Sequence, residues 1–230
     1  MKKYISLFIS LFVFIGFSQE KYLGDGPYKQ LIIRGVTLIN GDGSPPKGPV
    51  DIVVENNLIV DIKSVGYPGI EIKDSWRPKL KKGGFELDAN GMYLLPGFVD
   101  MHGHIGGTAQ GADYDYVFRL WMAHGITTIR EPGGRGVDWA VNLKKLSAEN
   151  KIVAPRIIAY TSFGQTGKNF NPLNDLPIST PEMARTWVRA NAKKGADGIK
   201  FFGAEPEIME AALDENKKLG LGSAAHHAQL

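Results

Sequence analysis

A chain of 230 residues with a formal net charge of +3 and no cysteine can bury a sizeable core in one large domain or two small ones, and its ordinary composition argues against disorder. The lysine pairs at 81–82, 144–145, 193–194 and 217–218 fall where helices or turns should meet water, so the charge marks solvated faces and no nucleic-acid surface. Without cysteine there is no disulfide, thiolate site, catalytic thiol or lipid-modified Cys anchor, and any metal must be held by His, carboxylate or a modified residue.

Lys2 and Lys3 precede an apolar stretch from Tyr4 to Phe17, after which Ser18, Gln19 and Glu20 turn polar. This pattern predicts a secretory signal peptide over residues 1–19, cleaved near Ser18 or Gln19, and an exported protein, periplasmic or secreted. The apolar run is short for a membrane span, so no stable membrane insertion is expected after cleavage; an uncleaved anchor is the alternative reading.

Residues 20–93 read as a small β-module and a linker. Strand-like stretches at Leu31 to Leu38 and Val50 to Val65 are split by the turn-rich Asn40-Gly41-Asp42-Gly43-Ser44-Pro45-Pro46, and Asn56-Asn57 sits between two β-branched runs as a hairpin loop would. Residues 66–85, rich in Gly, Pro and Lys, lack a period. Extended structure returns through an Asn90-Gly91 turn.

From residue 94 onward short apolar runs alternate with helical stretches. The strand candidates are Leu94–His102, Ile126–Arg130, Ile157–Thr161, Gly198–Phe202 and Gly222–His226. One helix is punctuated by Thr180 as its cap, Pro181 in its first turn and Gly195 at its end; another runs from about Pro206 to Leu219. Strand followed by helix, repeated over five strands, predicts a parallel α/β sheet. No G-x-G-x-x-G opens a helix after the first strand, which disfavours a dinucleotide-binding fold and leaves a barrel.

The chemistry concentrates in LLPGFVDMHGH, residues 94–104. On an extended strand Asp100, His102 and His104 would share a face, two imidazoles able to grip one cation and a carboxylate behind them able to orient a ring. The alternative is a pair of solvent-facing or otherwise satisfied histidines.

The stretch Leu-Pro-Gly-Phe-Val-Asp-Met-His-Gly-His resembles the first barrel strand of the metal-dependent amidohydrolase superfamily. LIIRGVTLINGDGS with VDIVVENNLIVDI is similar to the strands of the β-sandwich that precedes the barrel there. HGITTIREPGG resembles the second barrel strand, ADGIKFF the fourth and LGLGSAAHHAQ the fifth, with imidazolonepropionase-like and prolidase-like members as the nearest group. The resemblance implies an α/β fold in which a small β-sandwich portion, residues 20–93, precedes residues 94–230 as a partial TIM-type (β/α)8 barrel with about five of eight strands.

It also implies a site. His102, His104 and His226 would be metal ligands, with His227 the rival of His226, and Lys200 would bridge two divalent cations, Zn2+, as a carbamate formed with carbon dioxide. Lys200 could otherwise snorkel from a strand end or pair with Asp197 or Glu205. Asp100 would stand behind the ligands, and His124 reads as a helix cap. Glu131, Arg130 and Arg135, just past the second strand, could contact substrate, as could Gln165 in the TSFGQTGKNFNP loop, where Lys168 departs from the family pattern. A structural turn is the competing reading of the Glu131 region.

The activity implied is hydrolysis of C–N bonds in a small amide, cyclic amide or dipeptide by metal-activated hydroxide. A sixth-strand histidine and the general-base aspartate would lie beyond Leu230, which marks the chain as the N-terminal part of a longer enzyme. The alternative is an inactive binding module; a carboxylate-based glycosidase would need two strand-end carboxylates that the visible strands do not offer. Self-association into a homo-oligomer is left open.

Overall fold

The computed structural model describes residues 25–106, 111–164 and 178–226. The signal segment expected over 1–19 lies outside them. Two five-stranded sheets follow one another along the chain.

In the first sheet β1 (Gln30–Leu38), β2 (Lys47–Glu55) and β3 (Leu58–Ser64) run antiparallel, while β4 (Phe85–Asp88) and β5 (Tyr93–Leu94) lie parallel to β1. The β2–β3 hairpin closes through Asn56 and Asn57 at φ 47° and 66°; both are left-handed, as the tight loop that matches strand twist requires. Val36, Val50, Ile52 and Ala89 form its small core. Beside them Asp51 is fully buried, accepting from Arg34 Nη1 and from the Gly35 N–H, each at 2.8 Å. Arg34 also donates to the Pro78 carbonyl at 2.9 Å and to Glu86, which stitches the irregular 66–85 connector to the sheet.

All five strands share one layer. Among the described residues no second sheet faces it, so the expected sandwich is represented by a single sheet, with Leu58, Ile59 and Val60 of β3 exposed.

The second sheet is wholly parallel and ordered β10-β9-β8-β7-β6, from β6 (Phe98–Asp100), β7 (Ile126–Glu131), β8 (Arg156–Phe163), β9 (Gly198–Phe201) and β10 (Gly222–Ala225). Between successive strands lie α1 (Tyr114–Ala123), α2 (Val137–Ala148), α3 (Pro181–Lys194) and α4 (Pro206–Lys218). A doubly wound sheet reverses its strand order at a switch point; this one does not, and it curls as half of a barrel.

The helices cover one face. Phe118 and Leu143 pack on Ile129 and Ile157, while Trp187, Val188, Ile208 and Ala212 pack on Phe163, Ile199 and Phe201. Thr180 caps α3 by accepting the Met183 N–H at 3.2 Å, and Gly195 ends the helix at φ 101°, as the sequence predicts. Strand alternation then turns Arg130, Tyr160, Ser162 and Lys200 to the opposite, concave face.

One expected strand divides. Leu94–His102 reads as continuous in sequence, yet Tyr93–Leu94 joins β1 in the first sheet and only Phe98–Asp100 joins the barrel sheet. Pro96 has no N–H for a ladder, and Gly97 packs against Thr127 where a Cβ would overlap it. Beyond Asp100 the chain turns at Met101 and His102, so the two histidines do not alternate along a strand.

Candidate functional site

The turn that carries the histidines is held from three sides. Asp100 Oδ1 accepts the His102 backbone N–H at 2.8 Å, an Asx turn that ends β6. Expected to orient an imidazole, Asp100 instead fixes the backbone beneath one. Gly103 N–H donates to the Arg130 carbonyl at 3.1 Å, and Ile105 N–H donates to Glu131 Oε2 at 2.7 Å, so β7 grips the segment that β6 has released. His102 and His104 emerge exposed, their ring centroids 5.2 Å apart and their planes 65° from parallel.

Lys200 reaches the same face from β9. It pairs in register with Ala224, is only 5% exposed, and donates from Nζ to the Ala225 carbonyl at 3.1 Å. No carboxylate among the described residues pairs with it. Asp197, a partner suggested by sequence, is occupied by Lys144 at 2.5 Å and by the Ala159 N–H at 2.8 Å. His226 N–H continues the ladder to the Phe201 carbonyl at 2.8 Å, and its ring stacks on Phe202 at 5.1 Å. The Lys200 ammonium lies 5.7 Å from the centroid of that Phe202 ring. His227 lies outside the described residues.

The electrostatics join the strands. Although its side chain is exposed, partial desolvation by the neighbouring atoms holds the His102 imidazole below its ordinary pKa, and the charges of Lys200, His104 and Arg130 push the same way, with Asp100 opposing. A lysine three strands away and an arginine on the neighbouring strand therefore both act on His102 across the concave face. The result favours the neutral ring, the form that ligates metal.

No family model matches the chain. Over 108 residues it is 33% identical to adenine deaminase 2 of Desulfotalea psychrophila, a match covering 43% of this chain and 18% of that protein. Over 76 residues it is 36% identical to the dihydroorotase of a Thermoanaerobacter species, covering 33% and 14%. A solved Xaa-Pro dipeptidase with methionine bound in its active site superposes with a TM-score of 0.62 at 24% identity, over 86% of this chain and 56% of that one. The relatives and solved structures that it resembles are amidohydrolase-superfamily proteins.

The matched segments take in less than a fifth of either curated relative and a little over half of the dipeptidase. The relatives of this chain are hydrolases acting on C–N bonds. Among its described residues no helix is long and apolar enough to cross a membrane.

Its remaining candidates separate clearly. Arg130 lies over the Tyr160 ring at 5.2 Å on the concave face, with a buried Nε that has no acceptor among the described residues. Glu131, expected as a substrate contact, is 1% exposed and spends its oxygens on backbone N–H groups of Ile105, Gly133 and Gly134. It supports the site from below. Arg135 folds over Trp139 at 4.9 Å, beside a cavity of about 470 Å³ lined by Gly136, Thr161 and Asn191 on the helix side of the sheet. His124 is the C-cap of α1, its Nδ1 2.7 Å from the Leu120 carbonyl. Gln165, Thr166 and Lys168 lie outside the described residues.

Sequence reading missed two aromatic walls of the site, Tyr160 and Phe202. Phe202 was within reach, because the alternation that places Lys200 inward places the residue two positions on beside it. Tyr160 needed the β8 register, which sequence alone does not set.

Whether a divalent cation suits this place can be judged from the donors. Among the described residues no three His, Asp or Glu side chains gather to hold an ion by themselves. The two imidazoles fit two positions of a tetrahedral ion. Lys200 fits only after chemical change, since an ammonium has no lone pair and repels a cation, whereas a carbamate on its nitrogen would offer an oxygen.

Proposed function

We propose that this chain forms the metal-binding front of a barrel enzyme that hydrolyses C–N bonds in a small amide, cyclic amide or dipeptide. His102, His104 and His226 would serve as ligands, and Lys200, as its carbamate, would supply an oxygen ligand to the two divalent cations, Zn2+ in this reading. The observation that carries the proposal is that β6, β7, β8 and β9 run in one parallel sheet whose register sets Arg130 and Lys200 on the concave face, with the His102–His104 turn leaving the end of β6. The C–N hydrolase relatives support it.

Divalent ions held there supply Lewis acidity and a water of lowered pKa. The chain's own residues do the rest. The Lys200 amine, freed of its proton, forms an N–C bond with carbon dioxide and releases a second proton, giving an anionic oxygen ligand. Arg130, lying over the Tyr160 ring, offers its guanidinium to an anionic group of the substrate. Tyr160 and Phe202 wall the interior.

Residues 20–93 form the β-module and residues 94–230 the barrel portion, exported by the first 19 residues. Phe98 and Val99, exposed on the edge strand β6, and Met101 in the turn that follows form the apolar rim on which the remaining strands of such a barrel would close. A second reading, a scaffold that keeps the fold without catalysis, is favoured by the lack of a three-ligand cluster among the described residues.

Metal analysis of the full-length protein supplied with Zn2+ or Mn2+, alongside hydrolysis of a panel of dipeptides, N-acyl amino acids and cyclic amides, decides between them. Bound metal that His102→Ala mostly removes, together with turnover, supports the hydrolase. A wild type that binds no metal and turns over none of the panel leaves the scaffold reading.

A further inference from the structure

Glu131 closes β7, and alternation from Arg130 turns it away from the concave face, yet its carboxylate touches the site. Oε2 accepts the Ile105 N–H at 2.7 Å; Oε1 accepts those of Gly133 at 3.0 Å and Gly134 at 2.8 Å. The same Oε1 lies 3.4 Å from His104 Nδ1. Three backbone donors from two loops pin the carboxylate, so it cannot swing to follow the ring. Gly134 shows how closely the pieces fit: a Cβ there would lie 3.1 Å from His104 Nδ1 and 3.4 Å from Oε1.

We propose that Glu131 is a positioning residue: it locks the His102–Ile105 turn onto the β7 loop and holds His104 as the Nδ1–H tautomer. A carboxylate only accepts hydrogen bonds, so the ring nitrogen facing it is the one that carries the proton. The Nε2 lone pair is then directed away from Glu131, into the concave face. Metal-ligating histidines are commonly oriented in this way by a carboxylate on their second nitrogen. The inference rests on the ligand role proposed above for His104. It differs from a plain structural role, in which Glu131 would join two loops without setting the ring.

The test uses full-length, metal-free protein labelled with 15N-histidine, at a pH above the ordinary histidine range. Wild type is expected to show His104 protonated on Nδ1. Glu131→Gln is expected to lose that preference while His226 is unchanged, and to bind Co2+ about ten- to a hundred-fold more weakly, with Glu131→Asp recovering part of the loss. Should Glu131→Gln fail to fold, Gly134→Ala keeps the carboxylate and its three donors but crowds the ring. It is expected to shift the His104 signals and weaken Co2+ binding with little change in melting temperature.

An unchanged His104 tautomer in Glu131→Gln, or unchanged His104 signals and Co2+ affinity in Gly134→Ala, overturns the inference. A wild type with Nδ1–H on His104 that binds no metal overturns the proposed function and keeps the positioning role. A wild type that binds metal with the proton on Nε2 in the free ring does the reverse.

Discussion

The Lys200 ammonium donates to the Ala225 carbonyl on the next strand at 3.1 Å, and no carboxylate among the described residues pairs with it. The side chain is 5% exposed and lies between that carbonyl and the Phe202 ring, so a carbamate formed on its nitrogen would set an anionic oxygen at the strand ends. Lys200→Arg keeps the positive charge and cannot lose its proton, so it separates burial from chemistry. Protein prepared with 13C-bicarbonate should show a carbamate carbon in wild type and none in Lys200→Arg. Metal affinity should fall at least about ten- to a hundred-fold in the variant. Equal metal content in the two proteins would remove Lys200 from the ligand set.

Arg130 presents a guanidinium whose Nε is buried without an acceptor among the described residues, beside the imidazoles. If it takes the anionic end of a substrate, Arg130→Met should raise KM for carboxylate-bearing amides about ten- to a hundred-fold, the worth of a charged hydrogen bond, and leave neutral amides nearly unaffected. Arg130→Lys should recover only part, because an ammonium cannot reproduce the planar packing on Tyr160. Steady-state kinetics on paired charged and neutral substrates checks this; equal losses on both would show that Arg130 holds the barrel wall and no ligand.

The sequence spoke most clearly where local chemistry decides structure. Thr180, Pro181 and Gly195 bounded α3 because a cap, a fixed φ and a left-handed exit are properties of single residues. Asn56-Asn57 marked its hairpin for the same reason. The five barrel strands were legible as short apolar runs between helices, although Pro96 and Gly97 broke the first one between two sheets. The site was legible as a set of residues and not as a geometry. His-x-His suggested alternation on a strand, whereas a turn held by Asp100 and by contacts from β7 sets the two rings. The place of Glu131 depends on a partner 26 positions earlier in the chain, and the place of Tyr160 depends on β8 register. Neither relation has a local signature.

Asp51 supplies a stability test remote from the site. It is fully buried and accepts from Arg34 and from the Gly35 N–H, so Asp51→Ala leaves that backbone donor without its acceptor and leaves Arg34 with only Glu86 and the Pro78 carbonyl. Losing this acceptor should cost about 1–3 kcal/mol in the stability of the β-module. The double variant Arg34→Met/Asp51→Leu, which removes both charges, should cost much less than the sum of the single losses. Denaturant unfolding of the four proteins measures the difference, and strict additivity would show that the pair carries no coupling.

The contact between α3 and α4 should be acid-sensitive. Arg189 Nε donates to Glu215 Oε1 at 2.7 Å and holds that carboxyl below its ordinary 4.5, with Arg185 adding to the effect. Lys218, then Arg185, hold Asp214 below its ordinary 3.8. Because both folded-state values are depressed, an unfolding chain takes up protons that the folded one refuses. The stabilisation is therefore complete above the unfolded values and fades as pH falls from about 5 through the folded ones. Glu215→Gln should flatten this slope and leave stability at low pH nearly unchanged relative to wild type. Urea unfolding followed across the acid range reads the slopes directly. Parallel wild-type and Glu215→Gln curves would place the acid sensitivity elsewhere in the fold.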